Sequence, residues 1–102
     1  MQSIAKAKVS NIAATDVADY LRLGEVDEEE AKTLETLLSV SKEFIRKYTG
    51  HTEEELDDYP DFVIVVMILC QDMWDNRCLY VDKSNLNKVV ETILGMHSVN
   101  LL

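Results

Sequence analysis

Apolar residues recur at steps of three and four along the middle of this chain, and that spacing most constrains its fold. The stripe begins after Asp27 and stops at Gly50. Its members are Ala31, Leu34, Leu37, Leu38, Ser41, Phe44 or Ile45, and Tyr48. Such spacing places side chains on one face of an α-helix. Because Asp27 and Glu30 match a capping box and Gly50 is a typical helix end, we expect a long amphipathic helix over residues 27–49.

A second apolar segment follows Pro60. Residues 62–70 form an uninterrupted apolar run of nine, and apolar residues continue to Trp74 with polar ones at helical spacing. The β-branched residues of this run would also suit a strand, but the sequence offers no second strand to pair with it. A membrane span needs about 20 apolar residues, so the run is too short for one. We predict a buried central helix over residues 60–80.

The rest of the sequence predicts short helices joined by turns. Thr15 is the expected N-cap of the first short helix, which would end at Gly24. Ser84 or Asn85 is the expected N-cap of the last helix, which would end at Gly95. We expect these short helices near residues 15–23, 53–57 and 85–94. Three Gly and one Pro in 102 residues are too few for a many-turned β fold. The predicted class is therefore all-α, a small helical bundle.

The length of the chain suits one domain with a single core. We divide it into an N-terminal extension over residues 1–14, a helical domain over residues 15–95 and a C-terminal apolar arm over residues 96–102. The apolar side chains of the arm include Val99, Leu101 and Leu102. An apolar arm on a small domain must fold back or find a partner.

Acidic residues are concentrated in the middle of the sequence. Residues 25–58 hold twelve acidic and four basic side chains, which gives −8 of the total net charge of −9. Nucleic-acid binding through a basic surface needs clustered Lys and Arg, and this chain has no such cluster. The composition instead fits a protein whose partners are proteins.

The cysteines and histidines do not form a recognisable metal or redox motif. Cys70 and Cys78 lie eight residues apart, about 12 Å along one predicted helix, which is too far for a disulfide. Neither His51 nor His97 has a second His or Cys at a helical ligand spacing. We expect His51 to face solvent and His97 to lie in the tail, and we predict no metal and no cofactor.

One acidic pattern leaves an enzymatic alternative open. Asp72 and Asp75 form a carboxylate pair at i and i+3, as in the Mg²⁺-binding pairs of all-α nucleotide pyrophosphohydrolases. A second pair, Glu25 with Glu28, straddles the expected start of a helix, where the two side chains would not share a face. We expect a solvated acidic surface here and no catalytic residues. A helical regulator that binds a partner protein is a further alternative.

Two residues near the end of the apolar segment are candidates for partner contacts. Trp74 and Arg77 lie about one helical turn apart, so they could stack as a cation–π pair or anchor an interface. A Trp at this position also suits the core. Together with the arm residues Val99, Leu101 and Leu102, they are the partner-binding residues that we predict.

Three short motifs occur in a distinctive order. They are DVADYLR at residues 16–22, IRKYTG at residues 45–50 and WDNR at residues 74–77, with Pro60 before the apolar segment. This order resembles the phage head–tail connector family, the head-completion adaptors of long-tailed phages and prophages. The resemblance covers residues 15–80.

The resemblance implies a structural, non-enzymatic role in a virion. Family members form a ring of about a dozen copies below the portal protein, with closed symmetry. The ring extends the DNA channel and docks the next head-completion or tail protein. DNA would pass through without sequence-specific binding, because an acidic lumen repels it, and no membrane is involved. The protein would reside at the head–tail interface, and in the host cytoplasm during assembly.

Overall fold

The computed structural model describes residues 8–99, and this range contains four α-helices and no strand. The helices are α1 (Ala14–Leu21), α2 (Glu28–Thr49), α3 (Asp61–Asn76) and α4 (Lys88–Met96). Short 3-10 helices occupy Val9–Asn11, Glu55–Asp58 and Lys83–Asn85. The predicted all-α class, a small helical bundle, is confirmed.

The long helix α2 forms as its sequence predicts. Asp27 accepts the backbone N–H of Glu30 at 2.7 Å, and the Glu30 carboxylate accepts the backbone N–H of Asp27 at 3.1 Å, which completes the capping box. The helix ends at Gly50, whose backbone is left-handed and whose N–H donates to the carbonyl of Arg46 at 2.9 Å. Its buried face consists of Leu34, Leu37, Leu38, Ser41, Ile45 and Thr49.

Helix α3 is the centre of the core and contacts the other three helices. Its buried side chains are Phe62, Val63, Val65, Val66, Met67, Leu69, Cys70 and Met73. Each of these apolar side chains contributes roughly 1.5–3 kcal/mol on full burial. The β-branched run is thus helical because the surrounding helices can cover it on nearly every side. No helix among residues 8–99 is long and apolar enough to span a membrane.

The end of α3 corrects the predicted boundary at residue 80. Arg77 has a left-handed backbone with φ of 56°, and its N–H donates to the carbonyl of Trp74 at 3.3 Å. The N–H of Cys78 reaches back to the carbonyl of Met73 at 3.1 Å. These two bonds satisfy the last carbonyls in the way a glycine-ended helix does, so the chain reverses at Arg77. Residues 77–81 form a loop rather than a last helical turn.

The boundaries of α1 also differ from the prediction. Thr15 lies inside the helix and is not its N-cap. The residue before the helix is Ala13, whose N–H donates to the Asp16 carboxylate at 2.9 Å. The helix ends at Arg22, which has a left-handed backbone with φ of 58°, and not at Gly24. The Asp16 side chain, at the third position of the helix, therefore accepts the N–H bond at the helix start in place of a polar N-cap residue.

The last helix, α4, begins and ends later than predicted. Its N-cap is Asn87, whose side-chain oxygen accepts the N–H of Val89 at 2.8 Å. Ser84 and Asn85 belong instead to the preceding 3-10 helix. Gly95 does not stop α4, which continues one residue further. The side chain at Asn87 outcompetes the earlier candidates because it is the one that reaches an unpaired helix N–H.

Residues 8–13 pack as part of the domain rather than as an extension of it. Val9 and Ile12 are buried in the core. Ser10 donates its N–H at 2.9 Å and its hydroxyl at 2.7 Å to the carboxylate of Asp57. These bonds attach the start of the described chain to the 3-10 helix that follows α2. The remainder of the predicted extension, residues 1–7, lies outside the described residues.

Candidate functional site

The predicted contact residues Trp74 and Arg77 lie in one groove, between the first turns of α2 and the end of α3. The groove has a volume of about 470 Å³, and we call it the α2–α3 groove. Its lining consists of Glu29, Glu30, Thr33, Leu37, Met73, Trp74, Arg77, Cys78 and Leu79. Its floor is apolar, since Leu37 and Met73 are buried core residues.

Trp74 and Arg77 share the groove without a cation–π contact between them, which was one of the two roles that their spacing allowed. Trp74 is half-buried and packs against the core, whereas Arg77 is exposed at the point where the chain reverses. In the described part of the chain the cation–π contact joins Lys83 to Tyr48, with 5.9 Å between the Lys83 Nζ and the ring centroid. The left-handed backbone of Arg77 directs the chain away from α3.

The loop over residues 77–81 exposes two large apolar side chains beside Trp74. Leu79 is 57% exposed and Tyr80 is 65% exposed. Leu79 lines the α2–α3 groove and also a neighbouring groove of about 490 Å³, which runs along the later turns of α2 past Phe44. Sequence reasoning missed Leu79 and Tyr80 because it placed them inside a helix. The loop begins because α3 ends at Arg77, and the sequence has no glycine there to indicate a helix end.

The C-terminal arm folds back onto the end of α2. The backbone N–H of Val99 donates to the carbonyl of Thr49 at 2.8 Å. The Val99 side chain lies against Gly50 so closely that a Cβ at Gly50 would stand 2.7 Å from Val99 Cγ2. Val99 nevertheless remains 58% exposed. The predicted contact residues Leu101 and Leu102 lie outside the described residues.

A pair of histidines holds this arm in place, and it corrects the prediction that His51 faces solvent. His51 is only 6% exposed, and its Nε2 lies 2.6 Å from the backbone carbonyl oxygen of His97. A carbonyl can only accept, so this nitrogen carries the hydrogen. His97 in turn donates from Nε2 to the Asp61 carboxylate at 3.3 Å. The Tyr59 ring packs against both imidazoles, with centroids 4.9 Å from His51 and 4.5 Å from His97.

His51 is buried among the rings of Tyr59 and Phe62 and bonds to a carbonyl 46 residues away, which a local sequence pattern cannot reveal. Its Nδ1 has no hydrogen-bond partner among residues 8–99 and lies 3.6 Å from a carboxylate oxygen of Glu55. The pKa of Glu55 is lowered, first because the backbone N–H of Thr52 donates to its carboxylate at 2.8 Å. A carboxylate that stays ionised therefore faces the second nitrogen of His51.

The acidic residues of the middle segment lie on the surface. Ten of the twelve acidic side chains in residues 25–58 are exposed, and the other two are half-buried. Three of them occupy the first turn of α2, where negative charge is favoured by the helix dipole. The surface of this part of the molecule is therefore strongly negative.

The carboxylates of the enzymatic alternative do not converge into a ligand set. Burial, and then the nearby charge of Asp75, raises the pKa of Asp72. Asp72 borders a small cavity of about 90 Å³ together with Asp82 and Asn85. Within residues 8–99, no group of three or more His, Cys, Asp or Glu side chains is arranged to hold a metal ion.

The two cysteines are free thiols in different environments, and Cys78 lies in the loop after α3 rather than on the same helix as Cys70. Cys70 is buried in α3, where its sulfur lies 3.5 Å from the hydroxyl of Ser41. Burial raises the pKa of the Cys70 thiol to about 11. Cys78 is half-buried and lines the α2–α3 groove.

Comparison of the chain with protein-family models, with curated proteins and with solved structures finds no match.

Proposed function

We propose that this protein is a head–tail connector of a long-tailed phage or prophage. Copies of the chain would form a ring below the portal protein, extend the DNA channel and dock the next head-completion or tail protein. The proposal begins with the motifs at residues 16–22, 45–50 and 74–77, whose order resembles that family. In support of it, each motif coincides with the end of a helix that is closed by a left-handed residue, respectively Arg22, Gly50 and Arg77.

The α2–α3 groove is the observation that carries the proposal. Trp, Tyr and Arg are the residue types enriched at protein interfaces, and half-buried Trp74, exposed Arg77 and exposed Tyr80 occur in or beside this groove within seven residues. Trp74 and Arg77 line the groove with its apolar floor, and Tyr80 lines the neighbouring groove past Phe44. Leu79 lines both grooves with more than half of its surface in solvent. A small domain with this concentration of interface residues suits a role in which it contacts other protein chains.

The surface charge supports the same role. Exposed carboxylates dominate residues 25–58, and in a ring they would give a channel wall or rim that repels the DNA backbone. DNA could then slide past without binding. This role needs no catalytic residue, no metal and no cofactor from the chain.

A binding assay with heads tests the proposal. Purified protein is mixed with DNA-filled phage heads that carry a portal but lack neck proteins, and bound protein is measured after sedimentation. We expect saturable binding that Leu79→Ser or Tyr80→Ser weakens several-fold. Val89→Ser is the matched control, because Val89 is 51% exposed on α4 and lies outside both grooves. Absence of binding, or equal weakening by the control, would contradict the proposal.

The enzymatic alternative is separated by a different assay. A Mg²⁺-dependent nucleotide hydrolase using Asp72 and Asp75 would be stabilised thermally by Mg²⁺ with a nucleoside triphosphate and would turn it over. The connector proposal predicts no shift and no turnover. Turnover lost in Asp72→Asn would favour the enzyme instead.

A further inference from the structure

We infer that the C-terminal arm of one copy binds in the α2–α3 groove of a second copy. This inference rests on the proposed function and specifies the contact between neighbouring copies in the ring. The arm leaves the domain at a fixed place. Val99 is held by the carbonyl of Thr49 at 2.8 Å, and His97 is held by His51 at 2.6 Å. The residues after Val99 therefore start from the C-terminal end of α2.

The groove lies toward the opposite end of the same helix. Leu37, the groove residue of α2 nearest to Thr49 in sequence, stands twelve residues before it, which corresponds to about 18 Å along an α-helix. Leu101 and Leu102 follow Val99 by two and three residues, so their Cα atoms extend at most about 7 and 11 Å beyond it. Leu101 and Leu102 therefore cannot reach the groove floor at Leu37 in their own chain, and a second copy is the occupant that can supply them.

The chemistry of the arm fits the groove. Residues 98–102 read SVNLL and contain no charged side chain. They can therefore enter between Glu29 and Arg77 without bringing a charged side chain into partial burial. Leu101 and Leu102 would lie against the apolar floor and against Trp74. Val99, whose side chain is more than half exposed on the donor copy, would extend the contact at the rim.

The arrangement of arm and groove determines the symmetry of the assembly. Each copy presents one arm near the end of α2 and one groove near its beginning, so the contact joins two different surfaces. Repetition of such a head-to-tail contact gives a closed ring when the rotation closes and a filament when it does not. A portal ring below the head would select the closed form, in agreement with the proposed function.

A single substitution makes the contact detectable, because the groove already contains Cys78. Leu101→Cys is prepared in the full-length chain and oxidised mildly at high protein concentration, and the products are separated on a non-reducing gel. We expect disulfide-linked dimers and a ladder of larger multimers. The ladder should disappear in the double variant Leu101→Cys with Cys78→Ser. Val89→Cys, an exposed cysteine on α4, is the matched control and should give at least fivefold fewer linked multimers.

Three results would overturn the inference: no linked multimers, multimers equally abundant in the Val89→Cys control, or a link within one chain. Failure of the proposed function is distinguishable, because the same variant is also tested on heads. Rings on heads without a link between residue 101 and Cys78 would overturn the inference alone. Linked multimers of a protein that does not bind heads would support the arm-to-groove contact and contradict the connector role.

Discussion

Among single residues, Gly50 meets two requirements at once, since it ends α2 and lies beneath the arm. Its φ is +81°, and a Cβ there would stand 2.7 Å from Val99 Cγ2. We expect Gly50→Ala to destabilise the fold by about 1–2 kcal/mol through the left-handed backbone, and by more through displacement of Val99. Urea unfolding measures the free-energy change.

Gly24 provides the matched control for that substitution. Its φ is +69°, but apart from its chain neighbours no described residue lies within 4 Å of a Cβ built there. Gly24→Ala should therefore show the backbone cost without the steric one. Equal losses of stability in the two variants would mean that the arm does not pack on Gly50.

The two thiols should differ in reactivity, because the thiolate is the reactive form of cysteine. Burial raises the pKa of Cys70 to about 11, so at mildly alkaline pH this thiol stays protonated as well as covered. We predict one rapidly labelled thiol per folded chain and a second only after unfolding, measured with a colorimetric thiol reagent. Cys78→Ser should remove the rapid phase, and a rapid phase that persists in this variant would contradict the core position of Cys70.

At the level of elements, the bond between Ser10 and Asp57 should make stability depend on pH. The pKa of Asp57 is lowered, first by the Ser10 hydroxyl and then by the Ser10 backbone N–H. The unfolded chain, with the ordinary value of 3.8, therefore binds the proton more readily. The stabilisation of the folded state by this bond is present above the unfolded-state pKa of Asp57, and it is lost as the pH falls through the lower folded-state pKa.

The measurement for this bond is urea unfolding of the native protein and of Asp57→Asn from neutral to acidic pH. We expect the native protein to be more stable near neutrality and the difference to shrink on acidification. Asp58→Asn, on the same 3-10 helix, controls for the change in net charge. A difference independent of pH would contradict the role of the Asp57 carboxylate.

The elements with strong local signals were predictable from sequence, and those set by tertiary contacts were not. The capping box at Asp27 and the periodic stripe placed α2 correctly. The ends of α1 and α3 were missed because Arg22 and Arg77 adopt the left-handed conformation that usually signals glycine. At Gly95 the sequence predicted a helix end that does not occur, since packing of α4 on the core keeps this residue helical.

The candidate site shows the same division. Trp74 and Arg77 were candidates from sequence alone because Trp and Arg are residue types enriched at protein interfaces. Leu79 depends on where α3 ends, so its exposure could not be seen. The position of His51 depends on its hydrogen bond to His97, which lies 46 residues away in sequence. A local sequence pattern contains no sign of such a distant contact.

For the whole molecule, we predict that Leu101 and Leu102 of the arm contribute more to ring assembly than to the stability of the fold. Leu101→Ser with Leu102→Ser should leave the thermal unfolding temperature within about 2 °C of the native value, because the bonds at His97 and Val99 remain. The same variant should bind heads as a ring less well than the native protein, measured by sedimentation. A large loss of stability, or undiminished ring formation, would contradict this division of roles.

The central claim, that copies of this chain form a ring on the portal, is tested most directly by electron microscopy of DNA-filled heads mixed with the purified protein. Averaged images of the portal vertex should show an added ring, coaxial with the portal, with an open channel and contacts between neighbouring copies. Heads whose portal vertex is unchanged at saturating protein, or that carry isolated copies without a ring, would contradict the claim.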